Sequence, residues 1–176
     1  MKNITTALIL LIGTIGVKSQ VAMGKPSVTN ASVSLEFADT ENRGLILPYI
    51  VDKSSMAENG TIIYDASDKK VKYLKDIATN TWFDLTVDTT GVVDLSLQGN
   101  EKVEKPTAKT AIGSNAATDS VDGILVLTDT NKAMVLPRVA SPHLNILNPS
   151  AGMMVYDLTK KQLAVYNGAM WSFWKP

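Results

Sequence analysis

Cysteine is absent from the 176-residue chain, and histidine occurs once, at His143. Without cysteine there can be no disulfide framework and no anchor through an acylated cysteine. His143 lies in a Ser-Pro-His-Leu-Asn segment, with no thiol to join it as a metal ligand. We therefore expect it to be an ordinary surface side chain.

The familiar catalytic and cofactor motifs are also absent. The sequence holds no G-x-S-x-G nucleophile turn, no glycine-rich phosphate loop and no dinucleotide fingerprint. Acidic residues cluster at 88–94 and 119–123, but neither segment has the ligand spacing of a calcium loop. We expect a protein that is not an enzyme and needs no cofactor or metal, with calcium at the acidic segments as a minor alternative.

Only one long apolar run is present, at residues 4–17, and it follows the positive charge of Lys2. The run is shorter than the roughly 20 residues that span a bilayer. Val17 and Ser19 suit the −3 and −1 positions of a signal peptidase site. The sequence predicts a signal peptide over residues 1–19, Sec export to the cell surface or medium, and no membrane span after cleavage. The periplasm and an uncleaved anchor are the alternatives.

Positive and negative charges are balanced, with 17 basic and 17 acidic residues. Loss of residues 1–19 would remove two lysines and no acid, leaving 15 basic against 17 acidic residues. A slightly acidic protein of this kind has no electrostatic basis for binding nucleic acid.

An internal repeat occupies the rest of the chain. SLEFADTENRGLILP at residues 34–48 aligns with ILVLTDTNKAMVLP at 124–137, with one residue inserted in the first copy. Further on, GTIIYDASDKKVKYL at 60–74 aligns with GMMVYDLTKKQLAVY at 152–166. Because the blocks follow the same order in both copies, we interpret the chain as two copies of one structural unit.

Within each copy the apolar residues alternate with a period of two, which predicts short, half-buried strands. The polar stretches after the two Tyr-Asp pairs, and Asn-Gly at residues 167–168, are hairpin turn signals. The last 25 residues therefore predict a three-stranded meander over 153–157, 162–166 and 170–174. The connections that follow Leu47-Pro48 and Leu136-Pro137 are irregular, and each has room for one short helical turn.

The predicted fold class is mainly all-β, with two hairpin or meander repeats and little helix. Copy one is expected at residues 20–97 and copy two at residues 120–176. Residues 98–119 are polar and lack periodicity, so they are interpreted as a linker.

These motifs resemble those of secreted Bacteroidota proteins that open with Q-V-G-I-G and carry K-G-x-x-L-P-R, G-x-x-Y-D and Y-N-G-x-x-W. The matching segments are residues 20–50, LPRV at 136–139 and NPSAGMMVYDLTKKQLAVYNGAMW at 148–171. The chain departs from the pattern at Tyr49, where arginine is usual, and at Ala133, where glycine is usual.

Proteins of this type are similar to the distal parts of phage tail fibres. The resemblance implies a structural or adhesin-like β module at the cell surface. Such a module either self-associates, with a trimer as one form of the assembly, or binds another surface protein. It implies no named activity.

Aromatic residues are few, at 6% of the chain, but they crowd the C-terminus. Alternation predicts Trp171 and Phe173 on one face of the last strand and Trp174 on the other. The residues singled out as a ligand site or subunit interface are Trp171, Trp174, Phe173, Tyr166, Tyr156 and Trp82. A glycan-binding platform formed by these rings is the alternative to a core or interface role.

Overall fold

The computed structural model describes residues 20–96 and 108–175, so the predicted signal peptide and much of the predicted linker lie outside the described residues. Within the described part the chain forms short strands and a single one-turn helix, α1 (Pro142–Asn145). In that part, no helix has the length and apolarity needed to cross a membrane. The strands are β1 (Val21–Met23), β2 (Val33–Phe37), β3 (Leu45–Ile46), β4 (Tyr49–Ile50), β5 (Ile62–Asp65), β6 (Lys70–Asp76), β7 (Thr81–Asp84), β8 (Thr110–Ile112), β9 (Leu125–Leu127), β10 (Ala133–Val135), β11 (Arg138–Val139), β12 (Met153–Asp157), β13 (Gln162–Tyr166) and β14 (Trp171–Trp174).

The strands fall into two sets of seven in the same order, β1–β7 in copy one and β8–β14 in copy two. In each set the first strand pairs with the second in parallel, Val21 with Leu35 and Thr110 with Leu125. Later strands of each set form the predicted antiparallel meander. The all-β repeat fold is confirmed.

In each copy an equivalent aspartate closes the first hairpin of the meander. The Asp65 carboxylate accepts hydrogen bonds from the backbone N–H groups of Ser67 and Asp68. The Asp157 carboxylate accepts the equivalent bonds from Thr159 and Lys160. These Asx-type bonds fix the chain reversal locally, which explains why the sequence predicted the meander strands to within one residue.

Each copy contributes one strand to a sheet of the other copy. β3 of copy one pairs antiparallel with β12 of copy two, Leu45 opposite Met154. β10 of copy two pairs in parallel with β2 of copy one, Met134 opposite Leu35. The sheets are therefore β1-β2-β10, β11-β12-β13-β14 with β3 beside β12, β4-β5-β6-β7, and β8-β9.

One hydrophobic core joins the copies. Tyr64, Val71 and Leu85 of copy one pack with Met154 and Val165 of copy two, and all five side chains are buried. Burial of apolar surface at roughly 25 cal/mol per Å² is the main stabilising term of such a contact. The copies consequently fold against each other.

The predicted linker at residues 98–119 overlaps a strand of copy two. Its C-terminal part contains β8, where Ile112 is buried and the Thr128 N–H donates to the Ile112 carbonyl oxygen. The polar composition concealed this strand because it is only three residues long and only Ile112 among them is buried. Copy two therefore begins at Thr110 in the structure.

Candidate functional site

The last strand, β14, carries aromatic residues on both of its faces. Trp171 and Phe173 lie on one face with ring centroids 6.4 Å apart, and Tyr166 lies 5.2 Å from Trp171. His143 approaches Phe173 edge-on at 5.6 Å. Phe173 remains 39% exposed, whereas Trp171 packs against a second, smaller cluster of buried residues in copy two that includes Val155 and Ala164. This face combines a packed tryptophan with an exposed phenylalanine.

Trp174, on the other face, ties copy two to copy one. Its indole N–H donates to the Leu85 carbonyl oxygen at 2.7 Å, and its ring lies 5.4 Å from Phe83 of β7. Phe83 in turn lies 5.3 Å from Tyr73. Trp174 is 38% exposed, but its polar end and one ring surface are engaged within the chain. Trp174 therefore contacts copy one of its own chain through both its N–H group and its ring.

Among the described residues, neither Tyr156 nor Trp82 makes a ring contact with this group. Tyr156 is half-buried on β12, opposite Leu163 of β13. Trp82 is on β7, and its indole N–H donates to the Asn80 side-chain oxygen at 3.1 Å. The six residues singled out from the sequence are thus not brought together into one surface.

A buried polar clamp between the copies was not found from the sequence. The Tyr64 hydroxyl, in copy one, donates to the Asn167 carbonyl oxygen at 2.9 Å, and Tyr64 is fully buried. The Asn167 side chain donates to the Asp88 carbonyl and carboxylate oxygens, and Gly91 packs directly on the Asn167 carbonyl. Asn167 was identified only as a turn residue, because its contacts are made to residues about 80 to 100 positions away.

A second polar network surrounds the Glu36 carboxylate, which is almost fully buried on β2. It accepts hydrogen bonds from the Lys25 ammonium at 2.7 Å and from the Thr29 N–H at 2.6 Å. Those bonds, led by Lys25, lower the pKa of Glu36 to about 2 despite its burial. Arg138 of copy two lies 3.7 Å from Glu36 and 2.9 Å from the Asp39 carboxylate. The network therefore adds a charged link between the copies.

Three aspartates of the acidic segments noted in the sequence are engaged in hydrogen bonds or ion pairs. Asp88 accepts from Thr90 and Asn167, Asp94 accepts from Ser96, and Asp119 pairs with Lys109 at 2.8 Å. Among residues 20–96 and 108–175, no group of three or more His, Asp or Glu side chains is arranged to hold a metal ion.

These features define an all-β, two-copy repeat protein with interlocked copies. Residues 111–175, which run from β8 to the end of β14, match a family model described as a phage tail like trimerisation region. The chain is thus similar to phage tail-fibre-like proteins over copy two. No curated protein and no solved structure matches the chain.

Proposed function

We propose that this protein is an exported structural module of a fibre-like assembly, that it associates as a trimer, and that it works without catalysis. The observation that carries the proposal is the match of residues 111–175 to a phage tail like trimerisation region. That segment contains the whole meander of copy two, including the aromatic face of β14.

The chemistry of the polar residues supports a structural role. The buried carboxylates of Glu36, Asp65 and Asp157 are held by ion pairs or turn bonds, which lower their pKa values. A general acid or base needs a pKa near the working pH, and these groups are moved away from it. They suit the stabilisation of strands and turns.

Export and a surface location form part of the proposal. The support is the charged start, apolar run and small residues of positions 1–19. Mass spectrometry of the protein recovered from the culture medium, the cell envelope and the cytoplasm would test it. An N-terminus at Gln20 supports cleavage, whereas an intact Met1 in the cytoplasmic fraction would contradict it.

Size-exclusion chromatography with light scattering on the purified protein tests the trimer. A mass three times that of one chain supports the proposal, and a monomer at all concentrations contradicts it. The Phe173→Ala variant tests whether the exposed face of β14 contributes to the contact between subunits. Leu158→Ala is the matched control, because Leu158 is 43% exposed in the turn after β12.

Glycan binding is the second candidate, and the exposure of Phe173 and Met170 at the end of the chain favours it. The two functions predict different outcomes for one variant. If Phe173 binds sugar, Phe173→Ala abolishes binding on a glycan array and leaves the solution mass unchanged. If it lies between subunits, the same variant weakens the trimer.

A further inference from the structure

The open edge of β9 differs sharply from the equivalent edge in copy one. Leu35 of β2 is fully buried, whereas its counterpart Leu125 of β9 is 39% exposed. Both strands pair with the preceding strand in the same way. The two strands also differ on the other edge, where β2 is covered by β10, and no strand covers β9 among the described residues.

The repeat itself identifies the kind of strand that fits β9. β10 covers β2 with Met134 opposite Leu35. The residue of copy one equivalent to Met134 is Leu45, on β3. Equivalent pairing would therefore place Leu45 opposite Leu125. Both residues of β3 are apolar, and Ile46 is 48% accessible to solvent.

Among the described residues β3 pairs only with β12, so its other edge is free to make that pairing. The Leu47 N–H donates to the Gly152 carbonyl oxygen, which directs one edge of β3 toward copy two of its own chain. In β10 the Ala133 N–H donates to Ser32, and Ala133 is equivalent to Gly44. Gly44 and Leu47 are three residues apart, so their N–H groups point to opposite edges of an extended strand. One strand can thus hold β12 and β9 at once.

β9 also presents the right backbone groups. The Ile124 carbonyl and the Thr128 N–H face β8, bonding to Thr110 and Ile112. In a regular strand the N–H groups of Leu125 and Leu127 then face the open edge. An edge of this kind is a template for pairing with another chain.

An acidic and a basic residue at the contact within the chain are both replaced by uncharged residues at the equivalent positions of the other copy. Within the chain, Arg138 of β11 lies 3.7 Å from Glu36 and 2.9 Å from Asp39. The residues equivalent to Arg138 and Glu36 are the uncharged Tyr49 on β4 and Val126 on β9, and the residue equivalent to Asp39 is Asp129, which already pairs with Lys132 at 3.1 Å. An unpaired buried charge would oppose association, and both members of the pair are uncharged here. The equivalent contact between chains can therefore form without burying a lone charge.

We infer that β3 of a second copy of this chain adds to β9, repeating between chains the contact that copy one and copy two make within the chain. This inference rests on the proposed self-association and assigns the surface that mediates it. Because the two surfaces differ, the contact is heterologous, and three chains close it into a ring. The affinity comes from backbone hydrogen bonds of the added strand.

Cross-linking between two single-cysteine variants tests the register, since the natural chain has no cysteine. Leu45→Cys and Leu125→Cys chains carrying different tags are co-expressed, purified as the mixed assembly and treated with a short bifunctional maleimide. A covalent species of two chains that carries both tags is expected. The matched control pairs Leu45→Cys with Leu158→Cys, at a position of similar exposure, and should give none.

A charge placed on the edge provides a second measurement. Leu125→Lys should raise the dissociation constant of the trimer about tenfold or more, because lysine on an edge strand opposes pairing. Leu158→Lys, the control, should leave it unchanged, and circular dichroism should show that both variants are folded. A trimer that gives no cross-link above control and tolerates Leu125→Lys overturns the assigned surface but leaves the proposed function standing. A wild-type monomer overturns both.

Discussion

Removal of one hydroxyl group, by Tyr64→Phe, should measure how strongly the two copies hold each other. The hydroxyl donates to the Asn167 carbonyl oxygen at 2.9 Å, and neither residue is accessible to solvent. Phenylalanine keeps the ring but leaves a buried carbonyl without this donor. The net loss of a hydrogen bond is about 1 kcal/mol, and an unsatisfied buried acceptor costs about 1–3 kcal/mol. We expect the free energy of unfolding to fall by about 2 kcal/mol.

Urea denaturation, followed by tryptophan fluorescence, is the assay. With a slope of about 2 kcal/mol per M for a domain of this size, the midpoint should fall by about 1 M. Tyr156→Phe is the control, because Tyr156 is the equivalent residue of copy two and is only half-buried. It should change stability by less than about 0.5 kcal/mol. Equal effects of the two variants would refute the inter-copy clamp.

Wild type and Tyr64→Phe should also differ in how their stability changes in alkaline solution. Burial raises the pKa of the Tyr64 hydroxyl above its ordinary value of 10.0. The stabilisation from this group is therefore present below about pH 10 and is lost as the pH rises through the folded-state pKa. The stability difference between wild type and Tyr64→Phe should shrink above pH 10. A constant difference up to pH 12 would contradict the bond.

Three further substitutions test other contacts by the same denaturation assay. Glu36→Gln should reduce stability at neutral pH. Its difference from wild type should shrink as the pH falls from 4.5 to about 2, because the lowered pKa of Glu36 confers stability only while the group is ionised. A difference that does not depend on pH would contradict this. Gly91→Ala should destabilise by about 2–3 kcal/mol, because the added methyl group meets the Asn167 carbonyl oxygen, and an unchanged midpoint would show that the segment can move aside. Trp174→Phe should cost about 1 kcal/mol by removing the hydrogen bond to Leu85, and no loss would mean that the indole N–H is equally well satisfied by water.

Local interactions explain what could be predicted of the fold. The hairpins of both copies were predictable because a Tyr-Asp pair is followed by a polar turn, and the aspartate closes that turn with its own side chain. The Asn167–Gly168 turn was visible for the same reason. Gly168 has φ +100°, and the Asn167 side-chain oxygen accepts from the N–H groups of Ala169 and Met170.

The candidate site was less accessible to sequence reasoning. Alternation correctly separates Trp171 from Trp174 on β14, but it cannot show that Trp174 bonds to Leu85 of the other copy. The clamp around Asn167 and the network around Glu36 were missed because polar residues of ordinary type carry no local signal of burial. Their partners lie in distant parts of the chain.

The sequence by itself determined the repeat, from the matching order of its blocks, and the hairpins of both copies, because their turns depend on residues that are neighbours along the chain. Only the tertiary structure decided that the copies interlock, with β3 joining copy two and β10 joining copy one. Those strands are two and three residues long, too short for an alternating pattern to specify a partner. Their pairing is selected by the edges that the shared core leaves open, and that selection exists only once both copies have packed together.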